Sequence, residues 1–289
     1  MELSDKTKIF LNTAIITTST VLENIVFFAI NIIVARYLNV NDYGEYTTAL
    51  AFASFFSMFT DLGINQTMIR ELNYEGEKEA TIFNIIIFKV MLSVSIFLIF
   101  AFSLLFTGYS NDVIFLTLIF GFVRFIDEYL RLYYIYYEAK NNYLISAIFR
   151  LFFAISFLGA VFLVISINGG NKEIAWSRLV IVTIFLFVLT FIILKERVNK
   201  INILFLRGFW RKSRPFASTF ISGNIINQGN LLILPLLHGT YYTGIFQNAY
   251  MFFSTLMFIP SSFGRVFSRI FIKVKKKRIL KSFSLLLKY

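Results

Sequence analysis

The chain has 289 residues, 57% of them hydrophobic and 15% charged, with a net charge of +12. A soluble domain carries about 25% charged residues, so a water-soluble globular fold is excluded. Cysteine is absent and histidine occurs once, as His238. That excludes disulfides, thiolate metal sites, a cysteine nucleophile and a histidine cluster, and neither a metal nor a cofactor is expected.

Eight apolar stretches follow in chain order, each near the ~20 residues that cross a bilayer as a helix. The first, residues 9–33, follows Lys6 and Lys8. It is long for a signal peptide and has no small-x-small cleavage site behind it, so it reads as a retained helix. Thr13, Thr17, Thr20, Asn24 and Asn31 form a polar stripe along it. Such a stripe serves interhelical hydrogen bonding or lines a hydrophilic channel. Glu23 lies off the stripe by about 100°, and a carboxylate inside a membrane helix is a candidate ion-coupling site. The second stretch is 46–64. The third, 85–106, holds Lys89 a few residues in, where its stem is expected to snorkel to the headgroups.

The fourth stretch, 113–135, is the most informative. Arg124, Asp127, Glu128 and Arg131 fall within about 100° of one helix face. Charges at this depth mark a cavity or a pathway. The alternative is self-neutralisation through the i,i+4 pairs Arg124–Glu128 and Asp127–Arg131. In the functional reading both arginines bind an anionic phosphate group, and Asp127 or Glu128 holds a proton or cation. The fifth stretch, 145–167, contains Arg150, read like Lys89. The sixth is 175–194. The seventh, 216–237, carries Asn224, Asn227 and Gln228, and the eighth is 245–263. The predicted fold class is all-α: a polytopic membrane protein with about eight transmembrane helices.

Positive charge is sorted between the connections. Twenty-one Lys and Arg lie in the N-terminus, alternate loops and the tail, against Arg36, Lys172 and Arg178 on the other side. Basic residues stay on the cytoplasmic face, so both termini are expected there. This sorting accounts for the net charge without nucleic acid. The basic runs 207–214 and 273–281 are expected to touch anionic membrane lipid.

Sliding the chain by 200 residues aligns Asn24 with Asn224, Ile33 with Ile233, Gly44 with Gly244, Ala49 with Ala249 and Phe52 with Phe252. The apolar segments and glycine turns share that register. A six-helix unit repeated in the same orientation implies a two-fold axis along the membrane normal, with substrate held between the halves. The expected organisation is therefore a six-helix bundle over 1–200. Residues 201–289 then form the first two helices of an incomplete second bundle with a basic tail. On this arithmetic the chain is expected to be a truncated gene product.

Short words along the first unit carry a family likeness. Ala35-Arg36-Tyr37-Leu38, Asp42-Tyr43-Gly44, Tyr46, Asp61-Leu62-Gly63-Ile64 and Arg70-Glu71 resemble the first helices of Wzx-type polysaccharide (O-antigen) flippases. These belong to the multidrug/oligosaccharidyl-lipid/polysaccharide exporter superfamily. Pro215, Gly239, Gly244, Ala249-Tyr250 and Ile259-Pro260 fit the second copy. Asn230 stands where members commonly carry an acidic residue. The resemblance implies translocation of an undecaprenyl-diphosphate-linked oligosaccharide across the cell inner (plasma) membrane by alternating access. It also implies work alongside polysaccharide polymerase and glycosyltransferase machinery. On that basis Arg124, Arg131, Asn24, Asn31, Asn224, Asn227 and Gln228 are the candidate substrate-binding residues, and Glu23, Asp127 and Glu128 the candidate coupling residues. The alternatives are a cation-coupled drug or metabolite antiporter, a non-functional fragment, and a membrane glycan polymerase or acyltransferase. No catalytic motif is present, so the chain is not expected to be an enzyme.

Overall fold

A computed structural model of the chain describes residues 3–74, 78–140, 142–194 and 203–256. Among the described residues there are nine helices and no strand: α1 (Leu3–Tyr37), α2 (Val40–Asp61), α3 (Ile64–Tyr74), α4 (Lys78–Leu104), α5 (Asn111–Ala139), α6 (Tyr143–Ser166), α7 (Asn171–Leu194), α8 (Ile203–His238) and α9 (Thr240–Leu256). The protein is an all-α polytopic membrane protein. Ala14–Tyr37, Ile82–Leu104, Tyr143–Ser166 and Asn171–Phe191 are each long and apolar enough to cross a membrane. Met91, Leu98, Phe102, Phe152, Phe187 and Phe191 point outward from three of them, each more than 60% exposed. Water would not tolerate so large an apolar surface, whereas lipid solvates it.

Eight of these helices match the eight apolar stretches, and α3 is the addition. The expected connection after residue 64 is a helix because the chain reverses at Leu62 and Gly63 (φ 37° and 79°). Asp61 then accepts the Asn65 N–H at 2.9 Å, satisfying one of the donors that a helix start leaves open. Ile64 and Met68 are buried with Ile85, Leu132, Tyr136 and Phe209. Being half polar, α3 shows no apolar run. A second difference is at Pro215, just before the seventh apolar stretch. Here α8 starts at Ile203 and continues through it, giving up one backbone hydrogen bond. The basic run 207–214 is thus helical. The end of the eighth apolar stretch and the basic tail lie outside the described residues.

The core runs between α2 and α5, which pack on each other more extensively than any other pair. Tyr46 meets Phe120 edge-on, with centroids 5.0 Å apart, and Ala49 and Ala53 are fully covered. α1 packs on α6, and α5 also on α7, but α1 barely touches α2. That gap leaves room for an interior cavity.

The starts of α2 and α9 approach each other closely. A Cβ on Gly44 would fall on the Thr240 carbonyl oxygen, and one on Gly244 would lie 3.1 Å from the Val40 carbonyl oxygen. Val40 and Thr240 are themselves 200 residues apart. The two contacts are reciprocal.

The chain divides into two compact units, Met1–Ile245 and Phe246–Tyr289. In the first, α8 packs on α2, α3 and α4. In the second, the described residues complete α9, where Phe246 stacks on Tyr250 at 5.9 Å.

Candidate functional site

A cavity of about 530 Å³ opens in the gap between α1, α2, α5, α6 and α7. Seven charged side chains line it: Glu23 of α1, Arg124, Asp127, Glu128 and Arg131 of α5, Arg150 of α6 and Arg178 of α7. They form three clusters. Asp127 takes Arg178 at 3.2 Å and Arg124 at 3.7 Å. Glu128 takes Lys89 of α4 at 3.1 Å and Arg131 at 3.2 Å. Arg150 lies between Glu138 at 3.1 Å and Glu23 at 3.6 Å, with its guanidinium over the Tyr134 ring. The first two clusters each hold one more cation than anion, and the third the reverse.

Arg178 is the most enclosed of the arginines. Its guanidinium lies within 5.0 Å of the Phe27, Phe153 and Phe157 ring centroids, an arrangement in which ring faces replace part of its hydration. The Nε atoms of Arg124 and Arg178 are buried without hydrogen-bond partners. A second chamber of about 250 Å³ adjoins the first. It shares Asn24, Phe27, Arg124 and Arg178 with it and adds Asn31, Tyr46 and Phe120. The smaller chamber reaches from Asn24 to Asn31, about two turns along α1, with Phe27, Phe120 and Phe157 among its walls.

Residues 9–270 match the family described as polysaccharide biosynthesis protein. The chain belongs to that family. No curated protein and no solved structure matches it. Membership supports a flippase or exporter role in polysaccharide synthesis, and places the charged cavity in a polysaccharide biosynthesis protein.

The residues singled out in this polysaccharide biosynthesis protein are distributed as follows. Arg124 and Asn24 line both chambers, Asn31 lines the smaller one, and Glu23, Asp127, Glu128 and Arg131 line the larger. Asn224, Asn227 and Gln228 lie on α8, with side chains outside the described residues. Three expectations are corrected. The ion pairs within α5 are i,i+3, Arg124–Asp127 and Glu128–Arg131, because each carboxylate is also drawn toward a cation on another helix. Lys89 does not snorkel: it is fully buried, and its Nζ donates to the Glu128 backbone oxygen at 3.0 Å as well as to the carboxylate. α4 starts at Lys78, so Lys89 is about 16 Å along it, too deep to reach the headgroups easily. Arg150 likewise turns inward to two carboxylates.

Arg178 escaped the sequence reading, which assigned it to an outer connection. α7 starts at Asn171, so Arg178 is two turns inside the helix. One signal was available: Arg178 falls inside the sixth apolar stretch, 175–194, three residues after Ala175.

Proposed function

We propose that the chain moves an undecaprenyl-diphosphate-linked oligosaccharide across the cytoplasmic membrane by alternating access. The observation that carries this reading is the convergence of Arg124 and Arg178, from two helices, on the single carboxylate of Asp127 inside a polar cavity. One positive charge is left over there. A guanidinium pairs with two phosphate oxygens at once, and a diphosphate diester carries one negative charge on each phosphate. Binding places one phosphate against each arginine. Asn24 and Asn31 offer amide donors and acceptors to the glycan along the adjoining chamber. Arg131 is half exposed and already turned to Glu128, so Arg178 takes the second phosphate in its place. A cation antiporter fits less well, since four arginines line the cavity against three carboxylates.

The reciprocal Gly44 and Gly244 contacts support a two-bundle transporter, with residues 201 onward opening the second bundle. The sorting of positive charge supports cytoplasmic termini and residence in the cell inner or plasma membrane. Glycosyltransferase and polymerase machinery would supply and consume the lipid-linked glycan.

The test is binding of a polyprenyl-diphospho-sugar to the chain in nanodiscs. Removing one charge-assisted hydrogen-bonding partner costs about 1.5–3 kcal/mol. Arg178→Ala is therefore expected to weaken binding by roughly ten- to a hundredfold, with Arg178→Lys between it and wild type. Undiminished binding in both Arg178→Ala and Arg124→Ala refutes the assignment.

A further inference from the structure

The carboxylates singled out for ion coupling, Glu23, Asp127 and Glu128, are each held by at least one cation. Asp61 is different. It closes α2, is 1% exposed, and uses Oδ1 to accept the Asn65 N–H. Its Oδ2 has no hydrogen-bond partner. Neither do Oδ1 and Nδ2 of Asn65, itself 5% exposed. Burying a carboxylate oxygen without a donor is costly while it is charged.

The surroundings of Asp61 show what can relieve that cost. The charged groups acting on it are Lys89 of α4 and Glu128 and Arg131 of α5. α3 contributes the neutral Asn65. α8 brings Ser213 and Phe216 against the adjacent Gly63. Of the cavity-lining charges on α1 and α7, Glu23 is engaged at Arg150 and Arg178 at Asp127. Lys89 thus acts on two carboxylates, and in this structure its Nζ is on Glu128. Glu128 lines the cavity, whereas Asp61 does not.

We propose that Asp61 is a proton-binding site that sets the charge of the substrate cavity through Lys89. With a proton on Asp61 Oδ2, Lys89 stays on Glu128 and masks its negative charge, and the cavity favours an anion. When Asp61 releases that proton to water, its carboxylate draws the Lys89 ammonium away on its flexible four-carbon stem. Glu128 is then left with Arg131 alone, and the cavity becomes less favourable to phosphate. The only bond made or broken is the O–H bond of Asp61. Proton uptake and substrate binding are linked, and linkage is reciprocal.

This inference rests on the diphosphate reading of the cavity, and the experiment separates the two. The probe is a polyprenyl-diphospho-sugar, a diester whose phosphates do not titrate near neutrality. Its affinity for the full chain in nanodiscs is measured over roughly pH 5–8. Wild-type affinity is expected to rise as pH falls, by at most about tenfold per pH unit, the limit for one linked proton. Asp61→Asn, whose amide oxygen can still accept the Asn65 N–H, is expected to bind tightly with no pH slope. Glu128→Gln, which leaves the start of α3 untouched, is expected to flatten the slope as well, and it decides the question if Asp61→Asn does not fold. A wild-type slope retained in the folded variants overturns the proposal. Wild-type binding without pH dependence removes this inference alone, while no binding at any pH removes the diphosphate reading and this inference with it.

Discussion

Lys89 offers the sharpest test of the structure against its sequence. Lys89→Met keeps the length and apolar bulk of the side chain and deletes only the ammonium. In the structure that ammonium is fully buried and makes two hydrogen bonds, to the Glu128 backbone oxygen at 3.0 Å and to its carboxylate at 3.1 Å. Removing one partner of a buried ion pair costs about 3–5 kcal/mol, because the remaining charge is left in low dielectric. Glu128 still has Arg131 at 3.2 Å, so the lower end, about 3 kcal/mol, applies. For a chain of this size each kcal/mol moves the melting temperature by about 2–4 °C, which predicts a fall of roughly 6–12 °C in detergent. The double variant Lys89→Met/Glu128→Gln should recover most of the loss, since no buried charge is then unpaired. A lysine that merely snorkels to the headgroups predicts a change within about 0.5 kcal/mol. A shift below 2 °C, or a double variant no better than the single one, would refute the buried pair.

Three further outcomes are expected. Gly63→Ala should destabilise the chain by more than about 1 kcal/mol, because Gly63 has φ 79° and its Cβ would lie 2.6 Å from the Phe216 Cβ and 2.8 Å from the Ser213 carbonyl oxygen; thermal unfolding equal to wild type counts against the α2–α3 turn. Gly44→Val should impair export in a cell-based complementation assay while membrane insertion, read by fractionation, is unchanged, since a side chain there meets the Thr240 carbonyl; normal export would separate that contact from function. Reporter fusions after Asn111 and His238 should read as external and one after Asn199 as cytoplasmic, and a cytoplasmic signal at His238 contradicts the charge-sorted topology.

Much of the fold was legible because a bilayer permits few solutions. A ~20-residue apolar run must satisfy its backbone internally, so it is a helix, and over their described residues all eight runs fall on helices apart from the last one to three residues of three of them. α3 was not legible, since its stability comes from burying Ile64 and Met68 on α4, α5 and α8 and not from a pattern of its own. The charged face of α5 was visible from spacing alone. Its partners were not, because four charges that balance within one helix call for none outside it. Placing Lys89, Arg150 and Arg178 required knowing where their helices begin. Residues 78–84 and 171–174 are helical in the structure yet too polar to join an apolar stretch, and those missing turns moved Lys89 and Arg178 from the rim to the interior. Glu23 and Arg150 are separated by most of the bundle's sequence, and only the α1–α6 packing brings them together.

The charged interior has an energetic meaning apart from any particular substrate. Buried ion pairs are weak stabilisers, and well-packed apolar residues of the same volume often do as well or better. The α2–α5 contact shows that this bundle can build such packing: Tyr46, Ala49, Phe52 and Ala53 close on Leu116, Phe120 and Val123 with no charge between them. Over the next two turns of the same α5, the face toward the cavity carries four ionisable residues, and four neighbouring helices (α1, α4, α6 and α7) supply further charges. Stability alone does not require that switch within one helix. The three clusters also differ in net charge, so the cavity is not a uniform neutral filling. It presents excess cation at Asp127 and Glu128 and excess anion at Arg150. An anion drawn into this cavity meets its strongest attraction where Arg124 and Arg178 share one carboxylate. Its repulsion is strongest toward Glu23 and Glu138, so the proposed diphosphate ligand would turn its phosphates to the α5–α7 side of the chamber and its neutral parts to the α1–α6 side.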